Sequence, residues 1–520
     1  MSTALFSVTD KTYVVDFAKE LVALQWNIVS SSGTAKILEE NFIKSCRISE
    51  ITGFPEILDG RVKSLSPKIH SGILAIRNNY EHMKQLKQYN IGMIDMVVVD
   101  LYPFEKTVSD IPKPLNKKID KSVIENIDIG GVTLLRAAAK NYKDVIVVCD
   151  NNDYNAIIRK LRDNSITEEF RLELAAKAFR CTAYYDSLIA AYLTYEKFPV
   201  QTVIPLRKIS KLRYGENPHQ EAVLYSNGIT KQHESAVVIS AKQLSGKQLS
   251  YNNYVDLESA WNLVHEFDNP ACVIVKHNNP CGCAEGLNIN DAYSKALSCD
   301  PISAFGGVLA FNGPIDENVA CKIDKMFIEC IIAPGYDKNA LDILMHKKNI
   351  RILLQKTPYI KEKQSIEYRT MSCGMLVQDK DDCLSSDIKF VTKRHPTKEE
   401  SKALDFAWKV AKHIKSNAIV LAKNAQTVGI GAGQMSRIDS LRIAIEKMKN
   451  IKEIFNEKSY PLVMASDAFF PFADVINESI KIGVVAVIQP GGSINDDKSI
   501  ISANEKNIAM VITGMRHFKH

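Results

Sequence analysis

In the stretch ACVIVKHNNPCGC, residues 271–283, a short apolar run ends abruptly in Lys276 and His277. Two asparagines, a proline and a glycine follow at once. Histidine has an unperturbed pKa near ~6.5, so it can take or give a proton near neutrality. A strand end followed by a turn is where catalytic groups are often displayed, and it is also how any strand leaves a core. Adjacent side chains of an extended chain point to opposite faces. The Asn-Asn-Pro turn is therefore needed to bring Lys276 and His277 to one pocket.

Two earlier places have the residue types of an anion site. In SVTDK a strand ends at Val8 and a helix begins near Asp10, so Thr9, Asp10 and Lys11 lie at the junction. In VSSSGTAK a strand ends near Ser30, and Ser31, Ser32, Gly33 and Thr34 open the next helix. Small hydroxyl residues and glycine leave backbone N–H groups free where the helix dipole is positive. Taken singly, each reads as an N-cap before it reads as an anion site. Two at successive strand ends, on one edge of a parallel sheet, favour a ligand. Residues 59–72, DGRVKSLSPKIHSG, add Arg61, Lys63, Ser64, Lys68 and His70. Lys63 could neutralise a phosphate there, or the segment is a solvated basic loop. Tyr102 in DLYPF stands just past a strand that Pro103 stops. IDIGGVTLLRAAAKN sets Asp128 beside a helix start and Lys140 on its last turn, where both are also ordinary partners of the helix dipole.

The elements that must position these groups alternate. Over the first 150 residues, strands such as TALFSV, NIVS, IDMVVVDLYPF and DVIVVCD take turns with amphipathic helices. That alternation predicts an α/β domain with a mostly parallel sheet. A charged, helix-rich stretch follows, and EKFPVQTVIPLRKIS reads as a connector that places a boundary near residue 200. Beyond it, ACVIVKHNNPCG with SAFGGVLAFN looks like NAIVLAKNAQTVGIGAG with SDAFFPFADVIN. Each half has an apolar strand ending in Lys, then His or Asn, a Gly-rich turn, and later Ser-(Asp)-Ala-Phe. Two related α/β subdomains are expected. The span 335–400 is charged and reads as irregular.

A chain of 520 residues exceeds one ordinary core, so roughly two to four domains are expected. Its 66 basic and 60 acidic residues leave +6, spread without a long basic run, which gives little support to nucleic-acid binding. No apolar run approaches the ~18 residues that span a bilayer, so no membrane partner is expected. The first residues, MSTALFSVTDK, lack the basic start and apolar centre of a signal peptide. The 11 cysteines are scattered without a CxxC pair, which suits reduced thiols in a cytoplasmic setting. Cys281 and Cys283 lack a second ligand pair at metal spacing, so no metal site is expected.

Together these segments carry a resemblance. GFPEILDGRVKSLSPKIHSGIL, DLYPF, IDIGGVTLLRAAAKN, LRYGENPHQ, VKHNNPCG, SAFGG, IIAPG, KSNAIVLAKN, GIGAGQMSR, SDAFFPF, QPGGSI and MRHF occur here in the order found in one family. The chain resembles the bifunctional purine-biosynthesis proteins that join AICAR transformylase to IMP cyclohydrolase, over nearly all its length. The resemblance implies two reactions. A formyl group moves from 10-formyltetrahydrofolate to the 5-amino group of AICAR, and formyl-AICAR then closes to IMP with loss of water. It implies a methylglyoxal-synthase-like domain over 1–199 for cyclisation and a transformylase domain over 200–520. The latter would hold two cytidine-deaminase-like subdomains without zinc. It also implies a homodimer with transformylase sites at the interface, no catalytic metal, and room for a monovalent cation.

The resemblance assigns roles residue by residue. His277 is the base for AICAR's weakly nucleophilic amine, and Lys276 serves the oxyanion or the folate's leaving nitrogen. Arg213, Tyr214, Gly306, Glu329, Asn417, Arg437, Phe469 and Arg516 would hold AICAR. Ile438, Asp474, Ser493 and Ile494 would touch the folate. Lys140 matches the proton donor/acceptor of cyclisation, and Tyr102, Asp128 and Lys63 match its supporting polar groups. Residues 9–11 and 31–34 match the phosphate loops, with Arg61 and Ser64 beside them. Four positions depart from the usual pattern: Ser32 for Gly, Ser66 for His, Asp100 for Asn and Ala473 for Arg. Glu329 stands where some relatives have Asp. A non-catalytic nucleotide-sensing module would need only the phosphate loops. A zinc deaminase would need the missing Cys-x-x-Cys, and a dinucleotide oxidoreductase fails because Gln434 replaces the third glycine of GIGAGQ.

Overall fold

The computed structural model describes residues 1–55, 57–62, 64–111, 113–114, 116–227, 237–359, 366–451 and 460–520. The chain divides into two compact units: Met1–Lys208 with Tyr225–Lys231, and Ile209–Leu224 with Gln232–His520. The first unit runs past 199. Arg207 pairs with Glu105 at 2.5 Å and lies over the Tyr184 ring, which holds the connector's end against the domain.

The first unit is built on β1 (Thr3–Ser7), β2 (Asn27–Ser30), β3 (Cys46–Arg47), β4 (Met96–Val99) and β5 (Ile146–Val148). They pair in the order β3-β2-β1-β4-β5, and every pairing is parallel. Helices cover both faces, so β4 and β5 are buried along their whole length. That is why MVVV and IVV read as continuous apolar runs. The order reverses between β1 and β4. Such a switch point opens a crevice at the carboxyl ends of the strands, and the segments after β1, β2 and β4 meet there. The charged stretch after β5 forms the long helix Glu168–Leu193.

A hairpin of β6 (Leu206–Lys211) and β7 (Val223–Asn227) follows. The second unit holds one twelve-stranded sheet. Its first half has β8 (Lys242–Ser245), β9 (Ala271–Lys276), β10 (Asn279–Glu285), β11 (Val308–Phe311), β12 (Cys330–Ala333) and β13 (Arg351–Leu354). A separate hairpin, β14 (Ile366–Met371) and β15 (Gly374–Asp379), comes next. The second half has β16 (Lys389–Phe390), β17 (Ile419–Lys423), β18 (Gln426–Gly431), β19 (Leu462–Ser466), β20 (Val484–Gln489) and β21 (Ala509–Ile512). The order is β16-β21-β20-β19-β17-β18-β10-β9-β11-β12-β13-β8.

The two halves are one arrangement used twice. Each has a hairpin (β9–β10, β17–β18), a third strand antiparallel to the hairpin's first strand, two further parallel strands, and an antiparallel edge strand. The halves join where β10 pairs with β18. Helices Tyr251–Val264 and Lys398–Ala411 precede the hairpins and share one core with Val273, Val275 and Val420. On the opposite face Cys272 and Ile274 enter a core of the first half alone, as period-two alternation requires.

The expected repeat is thus present in fold, but one of its equivalences fails. SAFGG precedes β11, whereas SDAFF begins on the last residue of the matching strand β19 and runs past its end. The two motifs sit at opposite ends of equivalent strands, so their likeness is not positional. The span 335–400 is also not irregular throughout. It contains the helix Lys338–Met345, β13 and the β14–β15 hairpin. That hairpin is exposed over nearly all its residues, so it shows no half-buried alternation.

Candidate active sites

In the first unit a cavity of about 570 Å³ opens at the switch point. Thr34 ties its two anion loops together: its hydroxyl accepts the Val8 N–H at 3.3 Å and the Lys11 Nζ proton at 3.1 Å. Ser31 caps the helix Ser32–Glu40 without its side chain accepting a backbone N–H of the first turn, and its hydroxyl instead donates to Thr34 Oγ1 at 3.4 Å. A Cβ on Gly33 would meet nothing within 4 Å. The first turn of that helix is therefore open to an anion. Asp100, past β4, accepts the N–H of Thr9 and, at 2.8 Å, that of Asp10. Burial pushes its pKa up, against the pull of those two N–H groups.

Tyr102 and Asp128 line the same cavity. Asp128 caps the helix Gly130–Lys140 by accepting the Gly131 N–H at 2.7 Å. A Cβ on Gly131 would lie 2.5 Å from Asp128 Oδ2, so a side chain there would expel the cap. Tyr185 holds the loop from behind. Its hydroxyl accepts the Asp128 N–H at 2.8 Å and donates to Asn126 O at 2.7 Å. Arg61 also lines the cavity, but its guanidinium is paired with Glu125. Ser64 packs against Gly130, and Ser66 caps the next helix by accepting the Lys68 N–H. Lys63 lies outside the described residues.

Lys140 is not brought to this cavity. It ends the helix whose first residue, Gly130, lines it, ten residues or about 15 Å away. It lines a separate depression with His70, Arg136 and Phe179. The linear motif joins Asp128 to Lys140, but a helix carries them to opposite ends.

In the second unit β9 and β10 are joined by the two-residue turn His277-Asn278, with Lys276 paired to Asn279. Both turn residues are left-handed, at φ 51° and 64°. Lys276 Nζ donates to Phe305 O at 2.6 Å, which draws the lysine over the left-handed Gly306. Lys276 and His277 line one cavity of about 380 Å³ with Asp300, Gln434 and Lys447. Lys447 and Asp300 pair there at 2.7 Å across the two halves. Glu329 is engaged by the buried Arg351 at 2.5 Å.

The other expected residues group on the second half. Asn417 donates from its side chain to Gln434 O at 2.8 Å. Arg437 opens the helix Arg437–Lys449 with its guanidinium 5.7 Å from the Phe469 ring centre. Its Nε is buried and has no hydrogen-bond partner. Burial and the nearby Arg516 lower its pKa, and Asp467 opposes them. An unpartnered guanidinium donor beside a second arginine is a place for an anion. Asp474 begins a helix after β19, and Ser493 and the fully exposed Ile494 follow β20. Ile438 follows Arg437 on its helix. Arg213 lies over Tyr214, and neither lines the Lys276–His277 cavity.

The segment order found here is matched from outside. The family model described as AICARFT/IMPCHase bienzyme matches residues 138–447, and the MGS-like domain model matches residues 13–133. The chain is 51% identical over 524 residues to the bifunctional purine biosynthesis protein PurH of Persephonella marina, covering 99% of each chain. It is 47% identical over 523 residues to that of Bacillus subtilis, again over 99% of each. This chain belongs to the AICARFT/IMPCHase bienzyme family. It is an enzyme of purine biosynthesis with AICAR formyltransferase and IMP cyclohydrolase activities, and it takes a folate-type cosubstrate.

The bienzyme's sequence motifs marked strand ends correctly but not what engages each side chain. Glu125 opposite Arg61, Arg351 opposite Glu329, Tyr185 behind Asp128 and Asp256 under the His277 turn were all missed. No local signal announces them, because each partner comes from a distant segment.

Proposed function

We propose that the second unit transfers the formyl group of 10-formyltetrahydrofolate to the 5-amino group of AICAR, and that the first closes formyl-AICAR to IMP. The observation that carries the reading is the Lys276–His277 pair at one cavity mouth on the first half, together with the buried, unpartnered Nε of Arg437 near Arg516 on the second. His277 takes the amine proton as the nitrogen attacks the formyl carbon. Lys276 stabilises the oxyanion of the tetrahedral intermediate and supplies a proton as the folate nitrogen leaves. Arg437 and Arg516 hold the AICAR phosphate, with Phe469 and Asn417 beside it. Asp474, Ile438, Ser493 and Ile494 face the folate. In the first unit the loop at residues 9–11, which lies ahead of a helix that begins only at Val14, and the helix start at 31–34 hold the phosphate, so the carboxamide nitrogen meets the formyl carbon within one bound molecule. Tyr102, Asp128 and Lys63 are the polar groups around that step.

The enzyme acts as a homodimer in this reading. Glu329 precedes β12 and Asn417 precedes β17, five strands apart on one sheet edge. At ~4.8 Å per strand that is about 24 Å, further than one small nucleotide spans. A site using both sets draws on two copies. Eleven free cysteines support a reducing, cytoplasmic setting, and no helix of the described residues is long and apolar enough to cross a membrane.

His277→Ala tests the reading. Formyl transfer should fall at least ~10²-fold, with AICAR affinity little changed and cyclisation intact. A stably folded variant with near-normal transfer overturns it.

A further inference from the structure

The turn that presents His277 is backbone-strained. Positive φ at both central residues is the requirement of a type I′ hairpin turn, which glycine and asparagine meet most readily and histidine, with its bulkier ring, less so. Something outside the hairpin must hold the conformation. The helix Tyr251–Val264 packs against β9 and supplies it. Asp256 Oδ1 accepts the Asn278 N–H at 2.6 Å, and the His277 N–H is directed at the same carboxylate. One turn further along that helix, the Ser259 hydroxyl donates to Asn278 O at 3.4 Å. Asn278 is thus gripped at both its N–H and its C=O by one rigid helix. On the far side, Asn279 Oδ1 accepts the Lys415 N–H at 2.9 Å, so the hairpin cannot slide.

We propose that Asp256 is a positioning residue for formyl transfer, holding the left-handed His277–Asn278 turn so that the imidazole stays at the cavity mouth. The inference rests on the reading of His277 as the proton acceptor. Asp256 does not line the cavity. It acts through the turn.

The test uses the full-length enzyme and its two activities. Asp256→Ala should lower kcat for formyl transfer about tenfold or more, the scale of a misplaced reacting group. KM for AICAR should stay close to wild type, and cyclisation in the other unit should be unchanged. Asp256→Asn keeps an acceptor oxygen and should recover most of the lost rate. Wild-type transfer in Asp256→Ala overturns the proposal. So does a parallel loss of kcat, AICAR binding and cyclisation with a lowered Tm, which would mark a general folding role. If the alanine variant does not fold, the near-isosteric Asp256→Leu, which keeps the volume but accepts no hydrogen bond, carries the test: kcat should fall about tenfold, and an unchanged kcat overturns the proposal. His277→Ala, measured alongside, separates the two ideas. Retained transfer there sinks the reading of His277, whereas retained transfer only in the Asp256 variants sinks this inference alone.

Discussion

At the scale of single residues, Asp100 stands out. It accepts two backbone N–H groups, from Thr9 and Asp10, at the end of β1 where a phosphate would seek the same donors. A carboxylate there repels the substrate as well as competing with it. Asp100→Asn should therefore lower KM for formyl-AICAR several-fold near neutral pH, for about 1 kcal/mol of repulsion removed. The sign with pH follows from burial, which raises the Asp100 pKa. Above that pKa the wild-type group is charged and the difference is full. As pH falls through it the wild-type carboxyl becomes neutral and the difference shrinks. A KM ratio that is flat with pH, or a weaker KM in the variant, would show that the carboxylate serves only the loop. Formyl transfer is the internal control.

At the scale of elements, the helix Gly130–Lys140 decides what its motif can do. Its start, with Asp128 and Gly131, forms part of the cyclisation cavity, and its end carries Lys140 away. Lys140→Ala should leave the rate of IMP formation from formyl-AICAR within a few-fold of wild type, and a spectrophotometric assay of IMP settles it. Accumulation of formyl-AICAR with a loss of orders of magnitude would put the ammonium at the reacting atoms. The helix was legible from its glycine start and apolar spacing. Its consequence was not, because a motif written in one line hides a rise of about 1.5 Å per residue.

At the scale of the whole molecule, the second unit repeats one six-stranded arrangement about the β10–β18 seam. The groups read as serving AICAR split between the halves. Lys276, His277, Gly306 and Glu329 lie on the first, and Asn417, Arg437, Phe469 and Arg516 on the second. If each site joins one half from each copy, two inactive variants should rescue one another. His277→Ala mixed with Arg437→Ala, after dissociation and reassociation, should regain about a quarter of wild-type transfer: half the dimers are mixed and each has one intact site. No recovery, with mixed dimers shown by mass, would place both residues in one site of a single chain.

The sequence by itself determined the parallel α/β first domain, the twofold likeness in the second, and most strand ends at which functional groups stand. Those features are local. Apolar runs, periods and turn residues are set by neighbours in the chain, and at 47–51% identity the order of motifs determines the family. Tertiary structure alone decided which groups are engaged. Arg61 meets Glu125, 64 residues on, and Asn278 meets Asp256, 22 residues back. It also set the motifs SAFGG and SDAFF at opposite strand ends and took Lys140 out of the cavity that its motif begins. The physical reason is the same in each case. A side chain's partner is chosen by packing between elements, and spacing along the chain carries no record of which elements will meet.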